Sequence, residues 1–139
     1  VDDDFNEIDS FHAFINPQRK VPWFVTRIHG LNNEFLDDKP IFSDIGRDLL
    51  LFLEGSELWA HNMSFDAGML NAEFARNRLP TLEKVDCRLN CTLQLARSTF
   101  PGQKNSLDAL LDRFLASGYT GDYEGKQEYK KSIVVDELD

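Results

Sequence analysis

A period of two marks the first patterned stretch of the chain. The apolar residues Phe11, Ala13 and Ile15 alternate there with Ser10, His12 and Phe14, and the stretch stops at Asn16-Pro17. This alternation predicts a β-strand that ends in a turn, with His12 on its outward side. The following residues, Pro22 to Pro40, have mixed polarity and two bounding prolines. They predict a long connection with short helical turns.

The middle of the chain shows helical and strand patterns in turn. Ser43 is predicted to cap an amphipathic helix that Gly55 ends. The short apolar run Glu57 to Ala60 predicts a buried strand. Ser64 follows as a predicted N-cap of a helix that ends before Leu79-Pro80. A strand, a tight turn and a helix in this order are typical of α/β proteins.

The last patterned elements are shorter. Lys84 to Cys87 is a weak strand candidate, Thr92 to Phe100 predicts a helix, and Ser106 is predicted to cap another. From residue 117 the chain becomes turn-rich and then highly charged. We therefore predict a domain over residues 1–116 and a charged tail over 117–139, with a possible strand at 132–135.

The helical and strand periods also predict the core. The residues expected to be largely buried are Phe11, Ile15, Leu49, Phe52, Leu53, Leu58, Met69, Leu70, Leu107, Leu110, Leu111 and Phe114. Trp23 and Phe24 could stack on a nucleobase, but their position beside Pro22 favours pinning the long connection to this core.

Charge and composition exclude several classes of function. The chain has 139 residues and a formal charge of −9, so attachment to nucleic acid by net charge alone is a poor expectation. Its two cysteines, Cys87 and Cys91, do not make a disulfide scaffold and indicate free thiols in a reducing compartment. No run of 18 or more apolar residues occurs. We expect a cytoplasmic protein without a membrane segment.

The segment from His61 to Asp66 carries the strongest sign of chemistry. Asp66 stands in the first turn of a predicted helix, directly after a predicted strand, which is where open α/β sheets build ligand sites. The same position has a structural explanation, because helix N-termini favour negative charge by about 0.3–1 kcal/mol. Spacing alone leaves both interpretations open.

The motif His61-Asn62-x-x-Phe65-Asp66 resembles the second motif of the DnaQ-like 3′→5′ proofreading exonucleases, in particular the type associated with bacterial DNA polymerase III. The resemblance runs over about residues 10–114. It includes the segments Phe11 to Pro17, Ile28 to Leu31, Asn33 to Pro40, Leu95 to Arg97 and Phe100 to Leu110. Several motifs in one order make the match specific.

The resemblance implies a ribonuclease-H-like α/β fold, a mixed β-sheet flanked by helices. It also implies carboxylates that hold two Mg²⁺ or Mn²⁺ ions and a histidine that acts as general base. Asp66 is identified as the catalytic and metal-site carboxylate. Asn62, Phe65, His29 and Gly30 are identified as residues beside the substrate. The implied partners are a single-stranded DNA 3′ end and a DNA polymerase subunit.

Two motifs of the family have no counterpart in the patterned part of this sequence. An Asp-x-Glu pair is not found before Phe11, and no histidine follows residue 61. We therefore expect a sheet without the family's opening strand, a domain without its closing helix, and a chain that is weak or inactive by itself. The alternative is a catalytically inactive module of this family that binds a polymerase or another protein.

The C-terminus offers possible replacement ligands. Ser132 to Val135 is rich in β-branched residues, and Glu137 and Asp139 after it would face the same way on a strand. Such a strand could fill the place of the family's opening strand. The simpler interpretation is a frayed acidic terminus.

Overall fold

The computed structural model describes residues 1–118. Along the chain it has α1 (Trp23–His29), α2 (Asn33–Leu36), α3 (Phe42–Leu53), β1 (Glu57–Ala60), α4 (Met63–Arg76), a 3₁₀ helix (Leu82–Val85), β2 (Arg88–Cys91), α5 (Thr92–Thr99) and α6 (Leu107–Ala116). The predicted strand at 132–135, together with Glu137 and Asp139, lies outside the described residues.

Two parallel strands form the sheet of the described region. β1 and β2 pair in register from Glu57 with Arg88 to Ala60 with Cys91. Leu58 and Ala60 pack against the core, whereas Glu57 and Trp59 are exposed on the opposite face. Side chains alternate across a strand, so one face of this short sheet is apolar and the other is polar apart from Trp59.

The core lies between this sheet, α3, α4 and the 3₁₀ helix. Its cluster of buried residues is Leu50, Met63, Ala67, Phe74, Leu82 and Cys87. None of the twelve residues predicted as core is fully buried, and three are exposed: Phe52 at 38%, Leu107 at 41% and Phe114 at 45%. The sequence indicates the helical period correctly. The period alone does not determine whether another element packs on a given apolar face of a helix.

The predicted strand from Ser10 to Ile15 is wrong. These residues form no regular secondary structure and pair with no strand among residues 1–118. They are held instead by ring contacts, Phe11 with Phe52 and Phe14 with Phe35, and by the Asn16 N–H, which donates to the Pro40 carbonyl at 2.8 Å. The predicted alternation survives as alternating burial, and His12 is exposed as expected.

The strand predicted at Lys84 to Cys87 is also misplaced. Leu82, fully buried, begins a 3₁₀ helix, and its N–H donates to the Asn71 side chain at 2.9 Å. Asp86 then takes a left-handed backbone (φ 59°), and β2 begins only at Arg88. The long-range contact of Leu82 with α4 therefore moves the strand downstream.

The other elements agree closely with the sequence patterns. β1 has the predicted bounds, and α1 and α2 are the short helical turns expected between Pro22 and Pro40. The prediction that β1 is buried is wrong, because its residues alternate between exposed and half-buried and only one face of the strand packs against the core. The Ser106 hydroxyl caps α6 by accepting from the Ala109 N–H at 3.2 Å. Two predicted caps are wrong, because α3 is capped at Ile41 instead of Ser43 and α4 at Asn62 instead of Ser64.

Within residues 1–118, no helix combines the length and apolarity needed to cross a membrane.

Candidate functional site

The turn between β1 and α4 places Asp66 where the sequence predicted it. β1 ends at Ala60, and Asn62 takes a left-handed backbone (φ 73°, ψ 51°) as the N-cap of α4. Asparagine tolerates this conformation better than most residues. The turn is therefore tight, and Asp66 lies in the first turn of the helix.

The environment of Asp66 is only partly polar. Burial raises the pKa of its carboxyl above the ordinary value, and a hydrogen bond from its own backbone N–H offsets part of this effect. No ion pair among residues 1–118 involves Asp66. The ionised carboxylate is thus destabilised by desolvation and forms no ion pair in the described region.

Asp66 lines a cavity of about 790 Å³. The segment 11–19 forms one wall, and α3 and α4 form the others. Most of the lining side chains are apolar, and the charged ones are Arg19, Asp66, Glu73 and Arg76. A concave apolar site with a few polar groups is the usual form of a ligand pocket.

Glu73 is a carboxylate of this cavity that the sequence analysis did not single out. It follows Asp66 by seven residues, so the two side chains share a face of α4. Glu73 forms an ion pair with Arg76, which also lines the cavity. The spacing of seven in a helix was the signal that could have revealed it.

His61 ties the turn to the other half of the domain. Its Nε2 lies 2.8 Å from the Asn105 carbonyl oxygen, and its Nδ1 lies 3.1 Å from the Thr92 hydroxyl. Asn105 is itself buried and donates to the carbonyls of Phe100 and Gln103. The β1 end is thereby joined to α5 and to the loop that precedes α6.

The other predicted site residues do not gather around Asp66. His29, Gly30, Asn62 and Phe65 are all absent from the lining of its cavity. Asn62 and Phe65 are exposed, Phe65 at 52%. His29 ends α1, where its Nδ1 accepts from the Leu31 N–H at 2.9 Å and its Nε2 is buried without a hydrogen-bond partner in the described region. The roles of these residues remain predictions.

The described residues do not make a complete metal site. Within residues 1–118 there is no group of three or more His, Cys, Asp and Glu side chains that could hold a metal ion. Asp66 alone is too few ligands, because Mg²⁺ sites rely on carboxylates together with water and substrate phosphates. The described residues by themselves therefore do not form the two-metal site that the resemblance implies.

The two cysteines differ in their surroundings, and both are free. Cys87 is buried, burial raises its pKa, and its thiol donates to the Leu53 carbonyl at 3.1 Å. Desolvation acts to raise the pKa of Cys91 as well. Backbone N–H groups outweigh it and hold the pKa below its ordinary value. These groups belong to Gln94, Met63, Asn62 and Leu93.

The chain is similar to a known protein family and to several of its members. Residues 1–120 match the family model RNase_T, described as Exonuclease. The chain is 39% identical over 105 residues to DNA polymerase III subunit epsilon of Pasteurella multocida, with 76% of this chain and 42% of that protein covered. It is 46% identical over 111 residues to the same subunit of Rickettsia conorii, with 76% and 46% covered.

A solved structure is also similar: exonuclease X in complex with 5′ overhanging duplex DNA. The TM-score is 0.48 at 25% identity, and the match covers 89% of this chain and 66% of that one. The chain spans less than half the length of the two epsilon subunits, 42% and 46%.

Proposed function

The chain belongs to the exonuclease family, whose domain is ribonuclease-H-like, and we propose on this basis that it serves the 3′→5′ removal of nucleotides from DNA. In this reaction water attacks the last phosphodiester, the P–O3′ bond breaks, and a 5′-mononucleotide leaves. The curated relatives are named as subunits of DNA polymerase III. We accordingly propose a single-stranded DNA 3′ end as substrate, a polymerase subunit as partner and the cytoplasm as location.

Asp66 carries this proposal. It follows a parallel strand, lies in the first turn of α4, lines a cavity of about 790 Å³ and has a pKa raised by burial. Carboxylate oxygens are ligands that Mg²⁺ takes in proteins, together with water and substrate phosphates. Proteins of this family generally use divalent metals, and we propose Mg²⁺ or Mn²⁺ held in part by Asp66.

The chain alone is expected to be weak or inactive. Two-metal hydrolysis needs ions about 3.5–4 Å apart, which one carboxylate cannot position. A general base contributes about 10²- to 10⁴-fold. His61 is hydrogen-bonded through both ring nitrogens, and neither His12 nor His29 lines the cavity of Asp66.

One observation favours a second function. The described residues lack a cluster that could hold a metal ion. A catalytically inactive module of the exonuclease family, which binds a polymerase or another protein, is therefore the alternative.

The test combines metal binding with nucleotide release. Addition of Mn²⁺ should broaden the backbone amide NMR signals around Asp66, and Asp66→Asn should remove the broadening. Asp108→Asn is the matched control, because Asp108 also stands in the first turn of a helix but is exposed. Broadening that is the same in Asp66→Asn would exclude Asp66 as a ligand.

Release of mononucleotides from a 3′-labelled single strand distinguishes the two functions. We expect no release above background by the 139-residue chain. Robust digestion stimulated by Mg²⁺ or Mn²⁺ and abolished by Asp66→Ala would show an active enzyme. It would direct attention to Glu137 and Asp139 as further ligands, to be tested by changing each to Ala.

A further inference from the structure

Helix α1 presents an aromatic surface to solvent. Trp23 is 70% exposed, Phe24 55% and Ile28 68%, and the helix has no buried residue. Trp23 and Phe24 therefore do not pin the connection to the core, contrary to the prediction from the sequence. These side chains share one side of α1 with Arg27, and we call the four residues the α1 platform.

The α1 platform is built on a fixed base. Val25, Thr26 and His29, on the other side of α1, are half-buried. Immediately before the helix, Val21 is buried and exchanges two hydrogen bonds with the Asn33 side chain, at 2.7 and 3.2 Å. Gly30 ends the helix with φ 78°, a conformation that suits glycine. The exposed rings are thus held outward by a defined local structure.

The rings and charges of the platform have the chemistry of a base-stacking site. The Trp23 and Phe24 ring centroids are 6.1 Å apart in an edge arrangement, and the Arg27 guanidinium lies 5.8 Å from the Trp23 centroid. The Arg27 guanidinium lies over one face of the Trp23 indole ring. A flat nucleobase can stack on the other face, since every base offers a π-surface.

The local charge fits a phosphate backbone although the whole chain is acidic. Residues 10–33 include Arg19, Lys20 and Arg27 but no Asp or Glu, and the next acidic residue is Glu34 in α2. All three basic side chains are exposed, and none forms an ion pair within residues 1–118. They are available to phosphates.

The α1 platform is close in sequence to one wall of the Asp66 cavity. Arg19 lines that cavity, and Trp23 follows it by four residues, a reach of at most about 14 Å along the chain. We propose that the α1 platform binds single-stranded nucleic acid by stacking a base on Trp23, while Arg27 and Lys20 contact its phosphates. This inference rests on the proposed function, which it extends with a second binding surface.

The two tryptophans of the chain allow a matched experiment. Trp59 is also exposed, at 55%, but lies on the open face of β1. In the full chain, Trp59→Phe leaves Trp23 as the only tryptophan, and Trp23→Phe leaves Trp59. A short oligothymidylate should quench the emission of Trp23 with saturation and leave that of Trp59 unchanged. An abasic oligomer of the same length should bind much more weakly.

The second measurement is the affinity of the chain for a labelled oligothymidylate, followed by fluorescence anisotropy. Trp23→Ala should weaken binding by about 5- to 150-fold, the range expected for loss of one base stack. Trp23→Phe should retain most of the affinity, and Trp59→Ala should leave it unchanged. Arg27→Gln should lower the salt dependence of binding, because a phosphate contact is lost.

The outcomes separate this inference from the proposed function. The platform is overturned if Trp23→Ala binds oligothymidylate as tightly as the wild-type chain, or if the wild-type chain does not bind it. This conclusion holds for either result of the Mn²⁺ experiment on Asp66. Stacking on Trp23 without any effect of Asp66→Asn on Mn²⁺ binding leaves the platform intact and overturns the proposed role of Asp66. An unchanged unfolding midpoint for Trp23→Ala confirms that the variant is folded.

Discussion

The Nε2 of His61 and the carbonyl oxygen of Asn105 lie 2.8 Å apart, although 44 residues separate them in the chain. A carbonyl only accepts, so Nε2 donates, and Nδ1 is left to accept from the Thr92 hydroxyl at 3.1 Å. The imidazole thus joins the end of β1 to the α5–α6 half of the domain and fixes the turn that precedes Asp66.

Replacing His61 by alanine should lower the free energy of unfolding by about 1–3 kcal/mol, because the part-buried partners lose their hydrogen bonds. His12→Ala is the control, since His12 is exposed and its loss should cost less than about 0.5 kcal/mol. Urea unfolding followed by circular dichroism measures both. Equal losses in the two variants would contradict the structural role of His61.

Two phenylalanines of α4 should differ sharply in their contribution to stability. Phe74 is fully buried and contacts Phe42 with ring centroids 5.6 Å apart, whereas Phe65 is 52% exposed. Phe74→Ala should cost about 3–5 kcal/mol, and Phe65→Ala at most about 1 kcal/mol. Thermal unfolding of both variants checks this. A small effect at Phe74 would mean that the core is not centred on it.

The stability of the chain should depend on the ionisation of Asp66. Burial raises its pKa, so folding favours the protonated form, and ionisation costs stability as the pH rises through the window above the ordinary value of 3.8. Asp66→Asn should therefore be more stable than wild type at pH 7, and the gain should disappear as the pH falls to about 3.8. Unfolding measured against pH tests this.

Asp108→Asn provides a control for the stability gain expected at neutral pH. Asp108 is exposed in the first turn of α6, where its charge is favourable to the helix. Its removal should cost about 0.3–1 kcal/mol at neutral pH. A gain for Asp108→Asn equal to that of Asp66→Asn would show that general charge repulsion, instead of burial, governs both.

Alkylation should distinguish the two cysteines. Backbone N–H groups hold the pKa of Cys91 down against desolvation, while burial raises that of Cys87. Because the thiolate is the reactive form, iodoacetamide should label Cys91 first in the native chain, and at lower pH than an ordinary cysteine. Mass spectrometry of tryptic peptides identifies the site. Faster labelling of Cys87 would indicate that the β2 region opens.

Local patterns in the sequence determined much of the architecture. The short apolar run at Glu57–Ala60, the helical period of α3 and the Ser106 cap of α6 all depend on residues near one another in the chain. The motif from His61 to Asp66 identified the family for the same reason. These features needed no knowledge of distant neighbours.

Tertiary contacts decided the rest. Packing of Leu82 beneath α4 placed β2 at Arg88–Cys91. No strand among residues 1–118 pairs with Ser10 to Ile15, so these residues form no β-ladder there. Phe74 is fully buried, whereas Leu107, which was predicted to be buried, is exposed, and so is Trp23 on α1. These differences also depend on which elements of the fold pack against each other. Periodicity shows that a residue belongs to an apolar stripe. Only the folded chain determines whether another element covers that stripe, because burial is a relation between segments far apart in sequence.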